Sequence, residues 1–517
     1  MASQNIENRN HQFLGEVCNL ISNYEGDLPN LRDFFRPEAI DWILKESVDR
    51  LDTSIIDFVI HTGYKDEPKV DKDGKPLLHR TTPIHLVPDD EEILIVSKLF
   101  QIFDRFDVNY IDEYGQTHFH LACRFGCEDE VLKFLEVGQD LNRITDGEGN
   151  TPLHWALKHD RNNVTKLLLR NGADPNLAND DGQTPLHVIC DNCCDYSIEM
   201  AKMLLEVSDE RYQPVQIDAR DSGGNTPLHL AIDYHGYKNL VELLLKNGAD
   251  PNATNKKGST PLHIVCMDGS ETFDTLEIFF KTNQELDQLV QVDARDNSGR
   301  TPLQCAVARL LPDVIDLLLD QGADLTSFVF PTASHFREHF HPQCKSFKLK
   351  IASGLLAVVE RLENRGYELS RSNALMIMQL FDEYELFLNT NSVFAKCRYN
   401  NKQEREAKKT MINPSLSLYD LSQLRPEETA KLPTCSDFFK FARVDAHWNP
   451  HNTPGEACVK HLCEKLSRIF FRRYALDSFL ELTRYQLPIL CCEMILDDSL
   501  INKNLYHICL AAAGQNT

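Results

Sequence analysis

Short apolar stretches with helical spacing alternate with polar, turn-rich segments through much of the chain. In one such unit, Leu153, Ala156 and Leu157 recur at the spacing of a single helix face. A second apolar stretch, residues 164–170, is followed by Gly172, and glycine tolerates the left-handed backbone that often follows a helix. The next residues are polar and turn-forming. The pattern therefore predicts a pair of helices and a connecting loop in each unit.

A four-residue phrase marks the start of these units. It reads TPIH, THFH, TPLH or TPLQ and begins at Thr82, Thr117, Thr151, Thr184, Thr226, Thr260 and Thr301. The starts lie 35, 34, 33, 42, 34 and 41 residues apart, and a period near 33 residues is typical of stacked helix-pair repeats. Because threonine is a favoured N-cap and proline suits the first helical position, we expect a helix to begin at each phrase.

These phrases, together with Gly-Ala-Asp triplets at residues 172–174, 248–250 and 322–324, resemble ankyrin repeats. The resemblance covers residues 81–325. It implies an all-α solenoid of about seven antiparallel helix pairs, with hairpin loops projecting at about a right angle. Such a solenoid usually binds other macromolecules, so a protein-binding role is expected and an enzymatic one is not.

The uneven spacing gives a double unit of about 75 residues. The longer member carries extra residues after its second helix, near residues 207–216 and 281–291, and insertions in solenoids often lie on the binding face. Neutral loop growth would explain these insertions equally well. The loop tips are the candidate contacts for a partner, called the client below: Asp180, Asp181, Asp221, Asp296 and Asn297.

The charge is unevenly distributed. Residues 1–325 hold 30 Lys and Arg against 57 Asp and Glu, whereas residues 326–517 hold 24 against 21. Since nucleic acids and anionic membranes bind basic surfaces, they are unsuitable ligands for the acidic repeats. A client with a basic surface would be attracted to them. The alternative is that the surplus charge serves only solubility.

The chain lacks the sequence marks of export. Residues 1–12 are polar, unlike a signal peptide, and the longest uncharged apolar stretches, such as residues 351–359, are far shorter than the roughly 20 residues of a membrane helix. Sixteen cysteines, many at apolar helical positions, suit a reducing compartment. We therefore expect a monomeric protein of the cytoplasm or the nucleus.

Histidine occupies the fourth position of six phrases, and Gln304 occupies it in the seventh. A catalytic histidine needs one special environment, whereas these lie at equivalent places in successive repeats. A structural hydrogen bond explains the repetition better, because glutamine can form it too. The residues concerned are His85, His120, His154, His187, His229 and His263.

One cluster, formed by His335, His339, His341 and Cys344, could suggest a zinc enzyme, since its first two histidines are four residues apart. However, Phe336 stands where the metalloprotease motif requires glutamate, so surface or packing roles are favoured. The same interpretation applies to two other groups: Cys190, Cys193 and Cys194; and Cys458, His461 and Cys463. The sequence predicts no catalytic residue, no metal and no cofactor.

The flanking regions have their own helical patterns. Residues 1–80 predict a helical cap for the first repeat, and residues 326–433 predict a helical connector. Residues 434–517 contain two apolar runs, 459–482 and 485–513. In the second run, Pro488 can open a helix, and Asn502 to Asn504 offer a break before Leu505.

This last segment resembles the PRANC domain, an F-box-like module that follows ankyrin repeats in poxviral and parasitoid wasp proteins. The resemblance rests on the Leu-Pro start, an Ile-Leu pair and an Asn-x-x-Leu ending, and it departs from the pattern at Leu490 and Asn504. It implies an F-box-like surface that docks on the Skp-like linker of a cullin-RING ubiquitin ligase. The docking residues that it implies are Leu487, Pro488, Ile495, Leu496, Leu500 and Leu505.

The two resemblances together imply a substrate adaptor, in which the repeats capture a client and the C-terminal module recruits the ligase. The alternative is a scaffold that sequesters a signalling protein, with the C-terminal helices only closing the stack.

Overall fold

An α-helix begins at the second residue of each repeated phrase from the second to the seventh. Thr117 and Thr301 have extended backbones, and the hydroxyl of each accepts a hydrogen bond of 3.3 Å from the backbone N–H three residues later. The fourth residue of the phrase completes a capping box by accepting from the threonine N–H. Proline occupies the first helical position after Thr151 and Thr301. The predicted helix starts are confirmed at these phrases.

The computed structural model describes residues 31–33, 35–88, 93–192, 197–206, 214–233, 238–268, 273–340, 345–387, 401–413, 416–423, 434–443, 456–496 and 500–514. The chain divides into two compact units, residues 1–256 (unit 1) and residues 257–517 (unit 2). Most described residues are helical, as the sequence predicts.

Unit 1 begins with helices that precede the repeats and continues with five phrases. The first phrase forms only a short 3-10 turn, Pro83–Leu86, and α1 packs against it. Another 3-10 turn spans Leu31–Asp33. The helices are α1 (Pro37–Asp49), α2 (Thr53–His61), α3 (Ile93–Ile102), α4 (His118–Phe125), α5 (Glu128–Glu136), α6 (Pro152–Lys158), α7 (Asn162–Arg170), α8 (Pro185–Asn192), α9 (Ser197–Leu205), α10 (Pro227–Asp233) and α11 (Lys238–Lys246).

Unit 2 begins with the last two phrases and continues into a helical bundle. Its repeat helices are α12 (Pro261–Asp268), α13 (Phe273–Glu285), α14 (Pro302–Ala308) and α15 (Pro312–Asp320). A two-stranded antiparallel sheet pairs β1 (Met411–Asn413) with β2 (Leu416–Ser417). The other helices are α16 (Ala333–Arg337), α17 (Lys345–Asn364), α18 (Arg371–Glu383), α19 (Asn401–Lys409), α20 (Leu418–Gln423), α21 (Cys435–Arg443), α22 (Glu456–Leu482), α23 (Ile489–Ile495) and α24 (Asn502–Ala512).

The insertion in the last long repeat lies partly in a helix. Helix α13 continues to Glu285, so only residues 286–291 of the predicted loop 281–291 remain outside it. Three buried residues near the helix end, Phe280, Thr282 and Asn283, show that the added turn packs into the core. Of the matching insertion, residues 207–213 lie outside the described residues. The structure therefore favours added packing over a projecting contact loop at residues 281–285.

The bundle of unit 2 covers the last repeat. Helix α17 packs on α15, and its Arg361 and Arg365 form ion pairs of 2.8 and 2.7 Å with Asp316 and Asp320. Close to this contact, Gly354 allows α17 to approach two side chains: a Cβ atom at that position would lie 2.9 Å from both Leu310 Cδ1 and Phe439 Cε2.

We expect Gly354→Val to destabilise unit 2. Both neighbouring side chains are buried, so overpacking should lower the free energy of unfolding by about 2 kcal/mol. Urea unfolding followed by circular dichroism would measure the change. Asn364→Val, at an exposed position of the same helix, controls for the β-branched side chain. Equal stability of the two variants would contradict a tight contact at Gly354.

Candidate binding surfaces

Five of the described hairpins are each held by one polar side chain at the start of the turn. Asp146 Oδ1 accepts hydrogen bonds of 2.9 and 2.8 Å from the backbone N–H groups of Glu148 and Asn150, two and four residues later. The later N–H is bonded in the same way at five hairpins, by Asp112, Asp146, Asn179 and Asp221 in unit 1 and by Asp296 in unit 2. These side chains stabilise the turn from within. The tip of each hairpin consists of the two residues that directly follow this turn-holding side chain.

Successive tips of unit 1 are also joined by hydrogen bonds. The N–H of Gly147 donates to the carbonyl of Tyr114 at 2.9 Å, and the N–H of Asp180 donates to the carbonyl of Glu148 at 3.0 Å. The glycine that follows each tip permits this approach. Gly149 has a φ of +77°, and a Cβ atom there would lie 2.8 Å from the backbone nitrogen of Asp180. The tips therefore form one continuous edge within unit 1.

The structure divides the predicted client contacts into two groups. Asp180 and Asp181 are exposed tip residues, and Asn297 is exposed at a tip of unit 2. Asp221 and Asp296 instead hold their turns from within, and Asp296 is buried and paired with Arg300 at 2.9 Å. These two carboxylates are therefore reassigned from client binding to turn stabilisation.

Three exposed tip residues of unit 1 were not predicted as client contacts from the sequence. Glu113 and Tyr114 follow Asp112, Glu148 comes two residues after Asp146, and Tyr114 is 68% exposed. Their position in the sequence could have identified them, because tip residues are the two that follow the turn-holding residue. We call Glu113, Glu148, Asp180 and Asp181 the acidic tips. The next tip, Ser222 and Gly223, carries no charge.

The histidines of the phrase make the predicted structural hydrogen bonds. In the third repeat, His154 Nδ1 accepts from the N–H of Thr151 at 3.2 Å, and Nε2 donates to the carbonyl of Gln183 at 3.0 Å. That carbonyl belongs to the next repeat, and His85, His187 and His263 make the equivalent bond, so these four histidines each join two successive repeats. Gln304 makes the same pair of bonds: its Oε1 accepts from the N–H of Thr301 at 2.9 Å, and its Nε2 donates to the carbonyl of Val329 at 2.8 Å.

These bonds require neutral imidazoles. Burial lowers the pKa of His120 and His154 to about 4, and it also lowers the pKa of His187 and His263. His335 has a similar role, since its Nδ1 accepts from the N–H of Thr332 in another capping box. The sequence feature that indicates this role is Thr332, three residues before His335.

No group of three or more His, Cys, Asp or Glu side chains is arranged to hold a metal ion among the described residues. His341, Cys344, Cys193 and Cys194 lie outside them. Cys190 is buried in α8.

The predicted docking residues do not share one surface. Leu487, Pro488 and Ile495 are exposed, and Leu500 is half-buried. Leu496 and Leu505 are fully buried, so they are reassigned to the core of the bundle. The residues that α23 presents in their place are Leu490 and Met494, which are 68% and 75% exposed and lie one helical turn apart. Together with Leu482, Tyr485, Leu487, Ile489 and Ile495 they form what we call the apolar segment.

Asn502 holds the end of the bundle together. Its side-chain amide donates to the carbonyl of Glu464 and to Ser467 Oγ, both at 2.9 Å, and its Oδ1 accepts from Arg468. The residue is fully buried and begins α24. The predicted break at Asn502 to Asn504 is therefore wrong, because these residues form the first helical turn. Residues 497–499, just before it, lie outside the described residues.

Comparison with known families defines the class of the repeat region. A family model described as ankyrin repeats matches three times, at residues 91–179, 161–255 and 234–328. The chain therefore contains ankyrin repeats, which imply a protein-interaction role.

Several proteins are similar to this chain over the repeats. Human "Transient receptor potential cation channel subfamily A member 1" is 31% identical over 182 residues, which are 35% of this chain and 15% of the relative. Mouse "Neurogenic locus notch homolog protein 1" is 35% identical over 30% of this chain and 6% of the relative. A crystal structure of the ankyrin repeat domain of Bcl-3 is 28% identical, covers 41% of this chain and 89% of its own, and has a TM-score of 0.36. The matched region thus spans a small part of the two curated relatives.

The comparisons detect no PRANC or F-box-like domain. Among the described residues, no helix is both long enough and apolar enough to cross a membrane.

Proposed function

We propose that the protein is an adaptor, in which the ankyrin repeats hold a client protein and the C-terminal helices dock on the Skp-like linker of a cullin-RING ubiquitin ligase. Such an adaptor would act in the cytoplasm or the nucleus. Its effect would come from proximity, because a held client meets the ligase at a high local concentration. No catalytic residue in this chain is needed.

The observation that carries the proposal is the apolar segment. Seven large apolar side chains are exposed between residues 482 and 495, although a helix of a soluble bundle normally buries such residues. Helix α23 packs on α22, and Cys492 and the following Leu496 are buried there. The face with Leu490 and Met494 stays uncovered within unit 2. An exposed apolar helix face of this kind suits a partner protein.

The acidic tips support the client half of the proposal. Glu113, Glu148, Asp180 and Asp181 lie on the continuous hairpin edge of unit 1, and the backbone hydrogen bonds between tips fix their spacing. A row of carboxylates on a fixed backbone favours a client with a basic surface, because little backbone freedom is lost on binding.

Substitutions test the ligase half better than truncation does. Residues 434–517 include α21 and α22, which pack on α17, so their removal would expose the core of unit 2. We expect the double variant Leu490→Glu/Met494→Glu to keep the fold and to bind a purified Skp-like linker at least about tenfold more weakly. Leu132→Glu/Val137→Glu, at exposed apolar positions of unit 1, is the matched control. Affinity capture of the purified linker by the full chain gives the readout. Absence of binding by the unmodified protein, or equal binding by both double variants, would refute ligase docking.

The client half is tested separately. Glu148→Lys/Asp180→Lys should lose proteins captured from cell extract through basic surfaces while it retains the Skp-like linker. The Leu490→Glu/Met494→Glu variant should show the opposite loss. Clients retained by the tip variant would show that they bind elsewhere.

A sequestering scaffold is the second candidate. The ion pairs between α15 and α17 and the close approach of Gly354 to Leu310 favour it, because through these contacts the bundle covers the last repeat. In that case the apolar segment would have no ligase partner, and expression of the protein would leave client levels unchanged while blocking client interactions.

A further inference from the structure

A polar cleft lies within the C-terminal bundle of unit 2, away from the apolar segment. Its volume is about 610 Å³, and it is bounded by the end of α17, the turn that leads into α18, and one face of α22. Its walls carry charged residues of both signs and two tyrosines. Neither proposed binding activity above uses this cleft.

Both arginines of the cleft are already engaged by carboxylates. Arg473 Nη1 donates to both carboxylate oxygens of Glu363, at 2.9 and 3.0 Å. Arg371 is ion-paired with Glu481 and also donates to Ser478 Oγ at 3.1 Å. The positive charges in the wall are therefore compensated within the bundle, which makes the cleft a poor site for an anion.

Two other carboxylates of the cleft are not paired with these arginines. Glu368 lies in the turn before α18 and Asp477 lies on α22, and both are exposed. Neither makes a hydrogen bond or an ion pair within the part of the chain that the structure describes. The cleft thus has an uncompensated negative charge that is available to a ligand.

The tyrosines give the cleft fixed aromatic walls. The ring of Tyr367 packs edge-on against Phe328, with 5.3 Å between centroids. The hydroxyl of Tyr474 donates to the carbonyl of Leu369 at 3.3 Å, which holds its ring in place. The Arg473 guanidinium already lies over the Tyr474 ring, 5.5 Å from its centroid. The alkyl stem of an organic cation would therefore pack mainly on Tyr367, while its charge meets the free carboxylates.

We propose that this cleft binds a lysine or arginine side chain of a partner polypeptide. Its volume exceeds that of one side chain, so part of the neighbouring peptide backbone would also fit. Glu368 and Asp477 supply the charge, and Tyr367 and Tyr474 supply the walls. This site is independent of ligase docking and of the acidic tips, so it can exist whether or not the adaptor proposal holds.

The test uses the whole 517-residue chain and three short peptides of sequence Gly-Ser-X-Ser-Gly with blocked ends, where X is arginine, lysine or glutamine. Ligand-observed saturation-transfer NMR at low salt measures their binding. We expect binding of the arginine or the lysine peptide, and about tenfold weaker binding or none for the glutamine peptide. The Glu368→Gln/Asp477→Asn variant should reduce binding of the cationic peptide by a similar factor.

The matched control is Asp129→Asn/Glu277→Gln, which removes the same charges from exposed helix positions outside the cleft. It should bind the cationic peptide as the unmodified protein does. The proposal is overturned if the two double variants bind equally, if the glutamine peptide binds as well as the cationic ones, or if no peptide binds. Because the substituted residues are exposed and make no internal bonds, both variants should fold, and circular dichroism would verify this.

Discussion

Lowering the pH from 7 to 4 is expected to destabilise the ankyrin repeats through their buried histidines. The ordinary histidine pKa is 6.5, and burial lowers it to about 4 for His120 and His154 in the folded protein. Between these values the unfolded chain binds protons that the folded chain does not. The stabilisation is therefore fully present above pH 6.5 and is lost as the pH falls toward 4. Each histidine should contribute a slope of up to about 1.4 kcal/mol per pH unit.

Glutamine substitutions isolate this effect from that of the acidic residues. Gln304 already makes the same two hydrogen bonds as His154 without a titrating group. We expect His120→Gln/His154→Gln to remain folded at pH 7 and to lose less stability than the unmodified protein on acidification. Urea unfolding at half-unit intervals from pH 7.5 to pH 4.5 would provide the two curves. Parallel curves would show that these histidines do not titrate on unfolding.

Replacement of Asn502 by alanine is expected to destabilise the C-terminal bundle by about 2 to 4 kcal/mol, since it removes several buried hydrogen bonds at once. The carbonyl of Glu464 and the hydroxyl of Ser467 would each lose the amide that now donates to them. Asn504→Ala is the matched control, because the same residue type lies exposed in the same helical turn. Denaturant unfolding followed by circular dichroism would compare the two.

A small effect of Asn502→Ala, equal to that of Asn504→Ala, would mean that the buried bonds contribute little. A large loss of stability in Asn502→Ala would also provide an unfolded-bundle control for the docking experiment. Asn502→Ala should weaken binding at the apolar segment only where the bundle unfolds, whereas Leu490→Glu/Met494→Glu should weaken it in a folded protein.

The repeats could be predicted from the sequence because their determinants are local. Threonine caps, first-turn prolines and glycines with positive φ act within a few residues, and seven copies reinforce one another. The histidine bonds were also predictable, since Gln304 in the seventh phrase showed which chemistry the position needs. The tips were predicted only in part, because Asp221 and Asp180 look alike in sequence although one bonds inward and the other is exposed.

The C-terminal bundle was harder because its determinants are distant in sequence. Leu496 and Leu490 are equally apolar, and only the packing of α23 on α22 decides that one is buried and the other exposed. The role of Asn502 depends on Glu464, Ser467 and Arg468, which lie more than 30 residues earlier. A local pattern of polar residues therefore predicted a break where tertiary contacts form a helix start.

The cover that α17 forms on the last repeat has a consequence for how this protein could lengthen in evolution. Arrays of repeats grow by tandem duplication, and a new copy must bury the apolar face of its neighbour. Here α17 covers the last repeat through the ion pairs of Arg361 and Arg365 with α15 and through the close approach of Gly354 to Leu310 in the preceding turn. A copy added after Asp320 would displace the bundle, whereas a copy inserted between earlier repeats would leave this junction intact. Related proteins with longer arrays should therefore keep the glycine and arginine positions of this junction and carry their additional repeats upstream of it.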